Sequence, residues 1–237
     1  MALGAVVLFS VFVALGTWQI QRRAWKLDLI ARVQERVHAP AVPAPPPAEW
    51  PRINAASSEY RHVRVSGTFL NDSETLVRAL TELGSGFWVL TPLQQADGSV
   101  VLVNRGFVPP EQSARAAHGA GEATTAATVT GLLRISEPRG SLLQRNDPAH
   151  DRWYSRDVQA IAAARGLRDV APYFIDADAA AWQPARATVT PATEPVGGLT
   201  VVTFRNTHLS YALTWYGLAL LVVVATRIVI REERRRA

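Results

Sequence analysis

Two long segments that lack acidic residues, one near each end of the chain, constrain its fold more than any other feature. The first is uncharged from Ala2 to Ile20, and the second runs from Leu209 to Ile230 with Arg227 as its one charged residue. Because a helix rises about 1.5 Å per residue, each segment is long enough to cross the hydrocarbon core of a membrane. We therefore predict two transmembrane helices, with both chain ends on one side of the membrane and the middle on the other.

The first segment could instead be a signal peptide that is removed after export. No basic residue comes before it, and no small-x-small cleavage site occurs before it runs into the stretch WQIQRRAWK. Signal peptides usually carry both features. We therefore expect an anchor that remains in the mature protein.

Basic residues beside the spans predict their orientation. Four arginines follow the second span, at Arg231 and Arg234–Arg236, and such flanks usually face the cytoplasm. Arg22, Arg23 and Lys26 follow the first span and favour the opposite orientation. We give the tail more weight, because the two spans must agree and no charge precedes the first. The middle of the chain is then expected to be extracytoplasmic.

The composition excludes several classes of function. The formal net charge is +5 and part of the basic excess lies in the tail, so no nucleic-acid partner is indicated. The absence of cysteine excludes disulfides, thiolate metal sites and haem attachment through CxxCH. The one methionine is the first residue, so copper(I) would lack the soft ligands it prefers, and copper delivery is a weak alternative.

The middle of the chain is predicted to be an α+β domain with mostly antiparallel strands. We divide the chain into a first span and its outer end (1–26), a connecting segment with a proline-rich linker (27–51), the domain (52–204), a second span (205–231) and a basic tail (232–237). The prolines between His38 and Pro51 favour an extended, semi-rigid spacer.

Residue patterns locate the elements of this domain. Alternation and β-branched content predict strands in YRHVRVSGTFL, ETLVRAL, ATVTGLLRIS, YFIDAD and LTVVTF. The stretch GFWVLTPLQQADGSVVLVNRGFV predicts a hairpin that turns at Asp97–Gly98. SRDVQAIAAARG predicts a helix ended by Gly166, and residues 112–128 predict a loop.

The domain contains one cluster that could perform chemistry. The stretch RNDPAHDRWYSRD places His150 near Asp147, Asp151 and Asp157. Such residues could form a metal or acid–base site of a membrane-anchored hydrolase, but we favour a polar loop that ends at a helix N-cap. Other histidines of the middle segment stand alone and are expected to be solvated: His38, His62 and His118.

The stretch VNRGFVP offers a second candidate. Arg105 could hold a carboxylate or a propionate through paired hydrogen bonds. Equally, it could mark a strand end at which Gly106 permits an unusual backbone angle. The residues alone leave both interpretations open.

The ends of the two spans hold the strongest candidates. In a hairpin, Thr17–Arg23 would lie level with the start of the second span. Helical spacing places three residues of each span on one face: Trp18, Arg22 and Trp25 on the first, and His208, Tyr211 and Trp215 on the second.

These residues have ordinary explanations, namely an interfacial aromatic belt, flanking arginines and a histidine in contact with headgroups. Ionisable residues at spans are nevertheless candidates for function. A neutral imidazole is the form that coordinates a haem iron, and arginines can pair with propionates. A haem or quinone-like molecule at the membrane boundary therefore stands beside the interfacial explanation.

Five stretches occur in an order that resembles the surfeit locus protein 1 family of cytochrome c oxidase assembly factors. They are LGTWQIQRRAWK, SGTF, VNRGFVP, RNDPAHDRWYSRD and RNTHLSYALTWYGLA, and they extend from Leu15 to Ala219. The first and last are the specific ones. The resemblance implies two transmembrane helices in the bacterial inner membrane, an extracytoplasmic domain, no enzymatic activity and a role in maturing oxidase subunit I. The missing charged lead before the first span suggests a natural start further upstream.

The resemblance further implies that haem a is bound as cargo, with His208 as the ligand of the haem iron. Its tryptophan–arginine motif maps to Trp18, Gln19 and Arg22, and the tyrosine after the histidine maps to Tyr211. The expected cofactor-binding residues are thus His208, Tyr211, Trp215, Trp18, Arg22 and Arg105. Expected partners are subunit I, haem a synthase and membrane lipid. The alternative within this family is a scaffold for subunit I that binds no haem.

Overall fold

The computed structural model describes residues 2–113, 126–138, 144–179, 195–199 and 206–236. The chain divides into two compact units, one of Met1–Glu35 with Val202–Ala237 and one of Arg36–Val201. The helices within the described ranges are α1 Ala2–His38, α2 Ala55–Ser58, α3 Val158–Ala164 and α4 His208–Arg236. The strands are β1 Val42–Pro43, β2 His62–Phe69, β3 Thr75–Thr81, β4 Gly84–Gln94, β5 Val100–Val108, β6 Ala126–Ile135 and β7 Val170–Ala177.

The first unit contains the two predicted spans. Both α1 and α4 are long and apolar enough to cross a membrane, which confirms the predicted pair of terminal helices. Helix α1 continues past residue 26, the predicted end of the first span, as far as His38. Residues 21–37 contain no glycine or proline, and Pro40 is the first proline of the chain. Nothing in this stretch therefore breaks the helix before its end.

Small residues allow the two helices of this unit to approach closely. A Cβ atom built on Gly16 would lie 2.8 Å from Cε1 of Tyr216. The Tyr216 hydroxyl is 3.1 Å from Oγ1 of Thr17, and the ring centroids of Phe12 and Trp215 are 5.7 Å apart. In lipid, helices are held together by such close packing and polar contacts rather than by the hydrophobic effect. The first unit is therefore a helical hairpin.

The second unit is a strand-rich domain whose sheet closes into a barrel. Its strands follow the order β1-β2-β6-β7-β5-β4-β3, and β2 also pairs with β4. This additional pairing sets Phe69 opposite Leu93 and joins the two sides of the sheet. Among the described pairings, β1–β2 and β5–β7 are parallel and the others antiparallel. The predicted α+β domain with mostly antiparallel strands is confirmed.

The core of the domain lies on both faces of the central strand β5. Val101 and Val103 belong to a buried cluster drawn from β2, β4, β5, β6 and β7, as expected for the interior of a closed barrel. Leu102 points to the other face, where Phe174 and Trp153 pack with α3. Because both faces are buried, the first half of β5, Val100–Val103, is a continuous apolar run instead of an alternating one.

The predicted hairpin and the predicted helix are both present. At the β4–β5 turn, Gly98 has φ 86° and Oδ1 of Asp97 accepts the Ser99 N–H at 3.0 Å. Helix α3 is capped by the Asp157 side chain, which accepts the N–H of Ala160. Gly166, with φ 66°, follows the end of this helix. Local turn and cap chemistry therefore located these elements correctly.

One other local prediction needs correction in part, and another lies mostly outside the described ranges. The predicted loop over residues 112–128 is wrong for Ala126–Thr128, which pair with Ser66–Thr68 in the β2–β6 ladder. Residues 114–125 are not described. The predicted strand LTVVTF lies outside the described ranges from residue 200 onwards.

The proline-rich stretch is predicted to be an extended, semi-rigid spacer, and part of it is an extended strand that packs on the barrel. Val42–Pro43 form β1, parallel to β2, and the Ala44 N–H donates to the Arg64 carbonyl at 2.9 Å. The Tyr173 hydroxyl donates to the Pro45 carbonyl at 3.0 Å. Prolines in extended backbone keep their carbonyl acceptors, so such a segment can serve as an edge strand.

Candidate functional site

His208 is the first residue of α4, at one end of the helical hairpin. The residues before it support the first turn: the His208 N–H donates to Oδ1 of Asn206 at 3.4 Å, and the Tyr211 N–H donates to the Thr207 carbonyl at 3.3 Å. The free N–H groups of a helix start need such acceptors. The imidazole is therefore attached to a defined helix end, as the sequence predicts.

The His208 side chain contacts Gln19 of α1. Its Nδ1 atom lies 2.7 Å from Oε1 of Gln19. Because an amide oxygen only accepts hydrogen bonds, Nδ1 carries the hydrogen in this contact, so the neutral ring has its free lone pair on Nε2. Within the described ranges Nε2 makes no hydrogen bond. The contact also agrees with the expectation that the end of the first span lies level with the start of the second.

The aromatic residues predicted around His208 differ in their surroundings. Trp18 and Tyr211 are 54% and 55% exposed, so each presents a large aromatic surface. The Arg22 guanidinium lies 4.0 Å from the centroid of the Trp25 ring, so these two residues share one side of α1, as their spacing predicts. Trp215 instead packs against Phe12 in the contact between the helices. Trp215 therefore stabilises the hairpin, and Trp18 and Tyr211 remain accessible to a ligand.

Arg105 belongs to the other unit and contacts a carboxylate of the protein itself. Its Nη1 atom lies 3.6 Å from Oε2 of Glu74, and the two side chains are 13% and 2% exposed. Its guanidinium also lies 5.3 Å from the centroid of the Phe69 ring. The interaction expected for a propionate is thus made with Glu74, and the role of Arg105 toward haem stays a prediction.

Glu74 is held in a nearly dry environment. The Thr91 hydroxyl donates to its Oε2 atom at 2.7 Å, while Oε1 has no hydrogen-bond partner among the described residues. Burial raises the pKa of Glu74 above its usual value, against the opposing effects of Thr91 and of the Arg105 charge. The Arg105–Glu74 pair is therefore a buried ion pair of the domain core.

The stretch around His150 forms a structural loop. Trp153 Nε1 donates to Oδ1 of Asp151 at 2.7 Å, and Arg165 Nη2 lies 2.8 and 2.9 Å from the two Asp151 oxygens. Although burial opposes it, the hydrogen bond from Trp153 and the hydrogen bond and charge of Arg165 hold the pKa of Asp151 below its usual value. Asp157 is the cap of α3. These partners account for the carboxylates that the sequence left open as catalytic.

The His150 side chain is 69% exposed. Its Nδ1 atom lies 2.8 Å from Oδ2 of Asp147 in the same loop. In the part of the chain that the structure describes, no three His, Cys, Asp or Glu side chains are grouped so as to hold a metal ion. The hydrolase alternative therefore gains no support from this region.

Sequence reasoning missed two polar clusters of the domain. Asp176 accepts hydrogen bonds from Asn104, Arg134 and Arg156 at 2.7, 2.8 and 3.1 Å. These bonds connect β7 to β5, to β6 and to the segment before α3.

The second cluster surrounds His62. This residue was predicted to be solvated, but its side chain is only 22% exposed. Its ring nitrogens lie 2.8 Å from the Ala39 carbonyl and 2.8 Å from the Asp178 carboxylate. These partners are distant in sequence, so no local pattern indicates them. Of the other isolated histidines, His38 is exposed and His118 lies outside the described ranges.

Comparison with known proteins places the chain in a family. A family model described as the SURF1 family matches residues 6–220. Surfeit locus protein 1 of Homo sapiens is 38% identical over 223 residues, which cover 86% of this chain and 69% of that protein. The protein of the same name from Mus musculus is 37% identical over 221 residues, covering 86% and 67%. A SURF1-like protein of Monosiga brevicollis is 37% identical over 232 residues, covering 92% and 83%. The chain therefore belongs to the SURF1 family.

Proposed function

We propose that this protein assists the assembly of haem–copper cytochrome c oxidase by holding haem a as cargo and presenting it to subunit I. Oxidase assembly is what the resemblance to the family implies. The observation that supports haem carriage is the contact between Gln19 and His208, which leaves one imidazole nitrogen available at the end of a membrane hairpin.

The donor set at this end of the hairpin suits a haem. A histidine that ligates a metal commonly donates its other ring N–H to an oxygen acceptor, which fixes the tautomer and the direction of the ring. Gln19 supplies such an acceptor to His208. Iron in haem is bound by a neutral imidazole nitrogen, and in the neutral ring the contact with Gln19 leaves that role to Nε2 of His208.

The surroundings of His208 suit the rest of the haem molecule. The exposed rings of Trp18 and Tyr211 offer apolar and aromatic surface to a flat macrocycle. Arg22, on the same face of α1 as Trp18 by helical spacing, offers a cation to a propionate. A carrier needs reversible binding and no chemistry of its own, so these few contacts are sufficient for the proposed role.

The setting follows from the two spans and from the family resemblance. We place the protein in the bacterial inner membrane, with both chain ends in the cytoplasm and the barrel domain outside it, because the basic tail follows α4. Haem a synthase would then supply the cargo within the membrane, and subunit I would receive it.

The test is the reduced-minus-oxidised spectrum of the full chain purified in mild detergent from cells that make haem A. We expect a haem a band in the wild type and its loss or shift in His208→Ala. His150→Ala is the matched control, because His150 is an exposed histidine of the other unit, and this variant should keep the wild-type band.

The other outcomes separate the alternatives. No haem band in correctly folded wild-type protein would overturn haem carriage and leave a scaffold for subunit I. A band that survives in His208→Ala but is lost in His150→Ala would place the ligand in the domain and contradict the proposed site.

A further inference from the structure

The last turns of α4 carry a stripe of arginines on one side of the helix. Arg227, Arg231, Arg234 and Arg235 are spaced i, i+4, i+7 and i+8, and all are exposed. At 3.6 residues per turn these positions fall within about 100° of the helix circumference. Four guanidinium groups therefore face one direction over roughly two turns.

The stripe is not neutralised by the protein. Within the described ranges, none of the four arginines makes a hydrogen bond or an ion pair. The nearby acids Glu232 and Glu233 fall outside the stripe by helical spacing. Glu232 instead accepts from Arg236, with Nε and Oε1 3.2 Å apart. The end of α4 thus has a basic side and, away from it, a side that carries the Glu232–Arg236 pair.

The stripe lies where an apolar span meets water. A groove of about 660 Å³ runs along it, lined by Arg227, Ile228, Ile230, Arg231, Arg234 and Arg235. Ile228 and Ile230 are exposed beside the arginines. The groove therefore combines apolar edges with several planar cations, and guanidinium groups bind phosphate oxygens through paired hydrogen bonds.

From this geometry we infer that the arginine stripe of α4 is a binding site for the headgroup phosphate of an anionic phospholipid. Arg227 lies inside the apolar run and Arg231 follows it, so both can reach the headgroup layer. Basic clusters beside a transmembrane helix attract anionic lipids. The inference does not depend on haem carriage, since the stripe belongs to the opposite end of α4 from His208.

A flanking charge that only orients the helix would not need this arrangement. Orientation depends on the number of basic residues near the span, wherever they lie around the helix. A lipid site requires the cations on one side, and it requires the acids away from them. The separation of Glu232 and Glu233 from the stripe therefore favours a lipid site.

The test compares spin-labelled phosphatidylglycerol with spin-labelled phosphatidylcholine at the surface of the full chain, reconstituted in phosphatidylcholine bilayers. We expect the wild type to immobilise phosphatidylglycerol preferentially and this preference to weaken as salt rises. Each of Arg231→Gln and Arg234→Gln should lower the affinity for phosphatidylglycerol relative to phosphatidylcholine about fivefold. Arg236→Gln is the matched control, because Arg236 is paired with Glu232 and lies off the stripe.

Two results would overturn the inference. One is a wild type with no preference for phosphatidylglycerol, which would leave the stripe to an acidic segment of a partner protein. The other is an equal loss in Arg236→Gln and in Arg231→Gln, which would show that only net charge matters. Circular dichroism of each variant verifies that α1 and α4 remain helical in the bilayer.

Discussion

Several candidate functional side chains of this protein contact residues that are far away in the sequence. His208 and Gln19 are 189 positions apart and 2.7 Å from each other. Their contact depends on how α1 and α4 are rotated about their axes. Arg105 and Glu74 form a similar contact between separate segments of the domain.

Gln19 is expected to act as a positioning residue for His208. Gln19→Leu removes the acceptor of Nδ1, and partners of this kind typically change metal affinity about 10- to 100-fold. We therefore expect Gln19→Leu to retain much less haem a than the wild type, measured as haem per protein after purification. Gln19→Glu keeps an oxygen acceptor and should retain haem with a shifted band. Wild-type haem content and an unshifted band in Gln19→Leu would contradict this role.

Arg105 is expected to support the core of the barrel domain. Arg105→Met removes the cation that pairs with the buried Glu74 carboxylate, and breaking such a pair costs about 3 kcal/mol or more. Thermal unfolding of the full chain in detergent should show this loss. The double variant Arg105→Met with Glu74→Gln should recover most of the stability, because neither charge remains. If Arg105 instead served the haem propionates, the single variant would lose haem a at an unchanged unfolding temperature.

Elements with local signals were the ones that the sequence predicted well. The β4–β5 hairpin has Asp97–Gly98 at its turn, and α3 has a capping aspartate and a terminal glycine. The closure of the sheet by β2–β4 and the parallel pairing of β5 with β7 have no such signal. They bring together strands from distant parts of the chain, so they follow from global packing. The pairing of the proline-rich stretch with β2 was missed for the same reason, since β2 begins about twenty residues later.

The packing of α1 on α4 depends on the lack of a side chain at Gly16. Gly16→Val would place atoms against the Tyr216 ring, and overpacking typically costs 1–3 kcal/mol. We expect the helices to separate and the haem content to fall, because Gln19 lies one turn further along α1. Gly4→Val is the matched control, since a Cβ at Gly4 would have no neighbour atom beyond its own turn of α1 within 4 Å among the residues that the structure describes. Equal haem content in Gly16→Val and Gly4→Val would show that this contact is dispensable.

His62 joins the segment after α1 to the segment after β7 in a pH-dependent way. Burial disfavours its charged form, but the hydrogen bonds to the Ala39 carbonyl and to Asp178, and the charge of Asp178, outweigh burial and raise the pKa of His62. Its contribution to stability is therefore full below the unfolded pKa near 6.5 and is lost as pH rises through the higher folded value.

The measurement for His62 is the unfolding temperature of the full chain between pH 5.5 and 8.5. The wild type should lose stability with rising pH relative to His62→Gln, because the glutamine amide does not titrate. Parallel pH profiles of the two proteins would show that the contacts of His62 do not titrate.

At the scale of the whole molecule, the terminal spans set the membrane topology. Because the chain has no cysteine, single introduced cysteines report on which side a residue lies. Asp72→Cys is exposed in the domain and Glu233→Cys is exposed in the tail. In spheroplasts, an impermeant maleimide should label the Asp72→Cys variant at once and the Glu233→Cys variant after permeabilisation. The reverse order would mean that the basic residues after α1 decide the orientation.

In the proposed carrier, Nε2 of His208 is the ligand of the haem iron. The most direct measurement is the reduced-minus-oxidised spectrum of purified His208→Gly, recorded with and without added imidazole. We predict that the haem a band is absent from the variant and returns with imidazole, which supplies the missing ring nitrogen. A wild-type band in His208→Gly without imidazole would contradict ligation of the haem iron by His208.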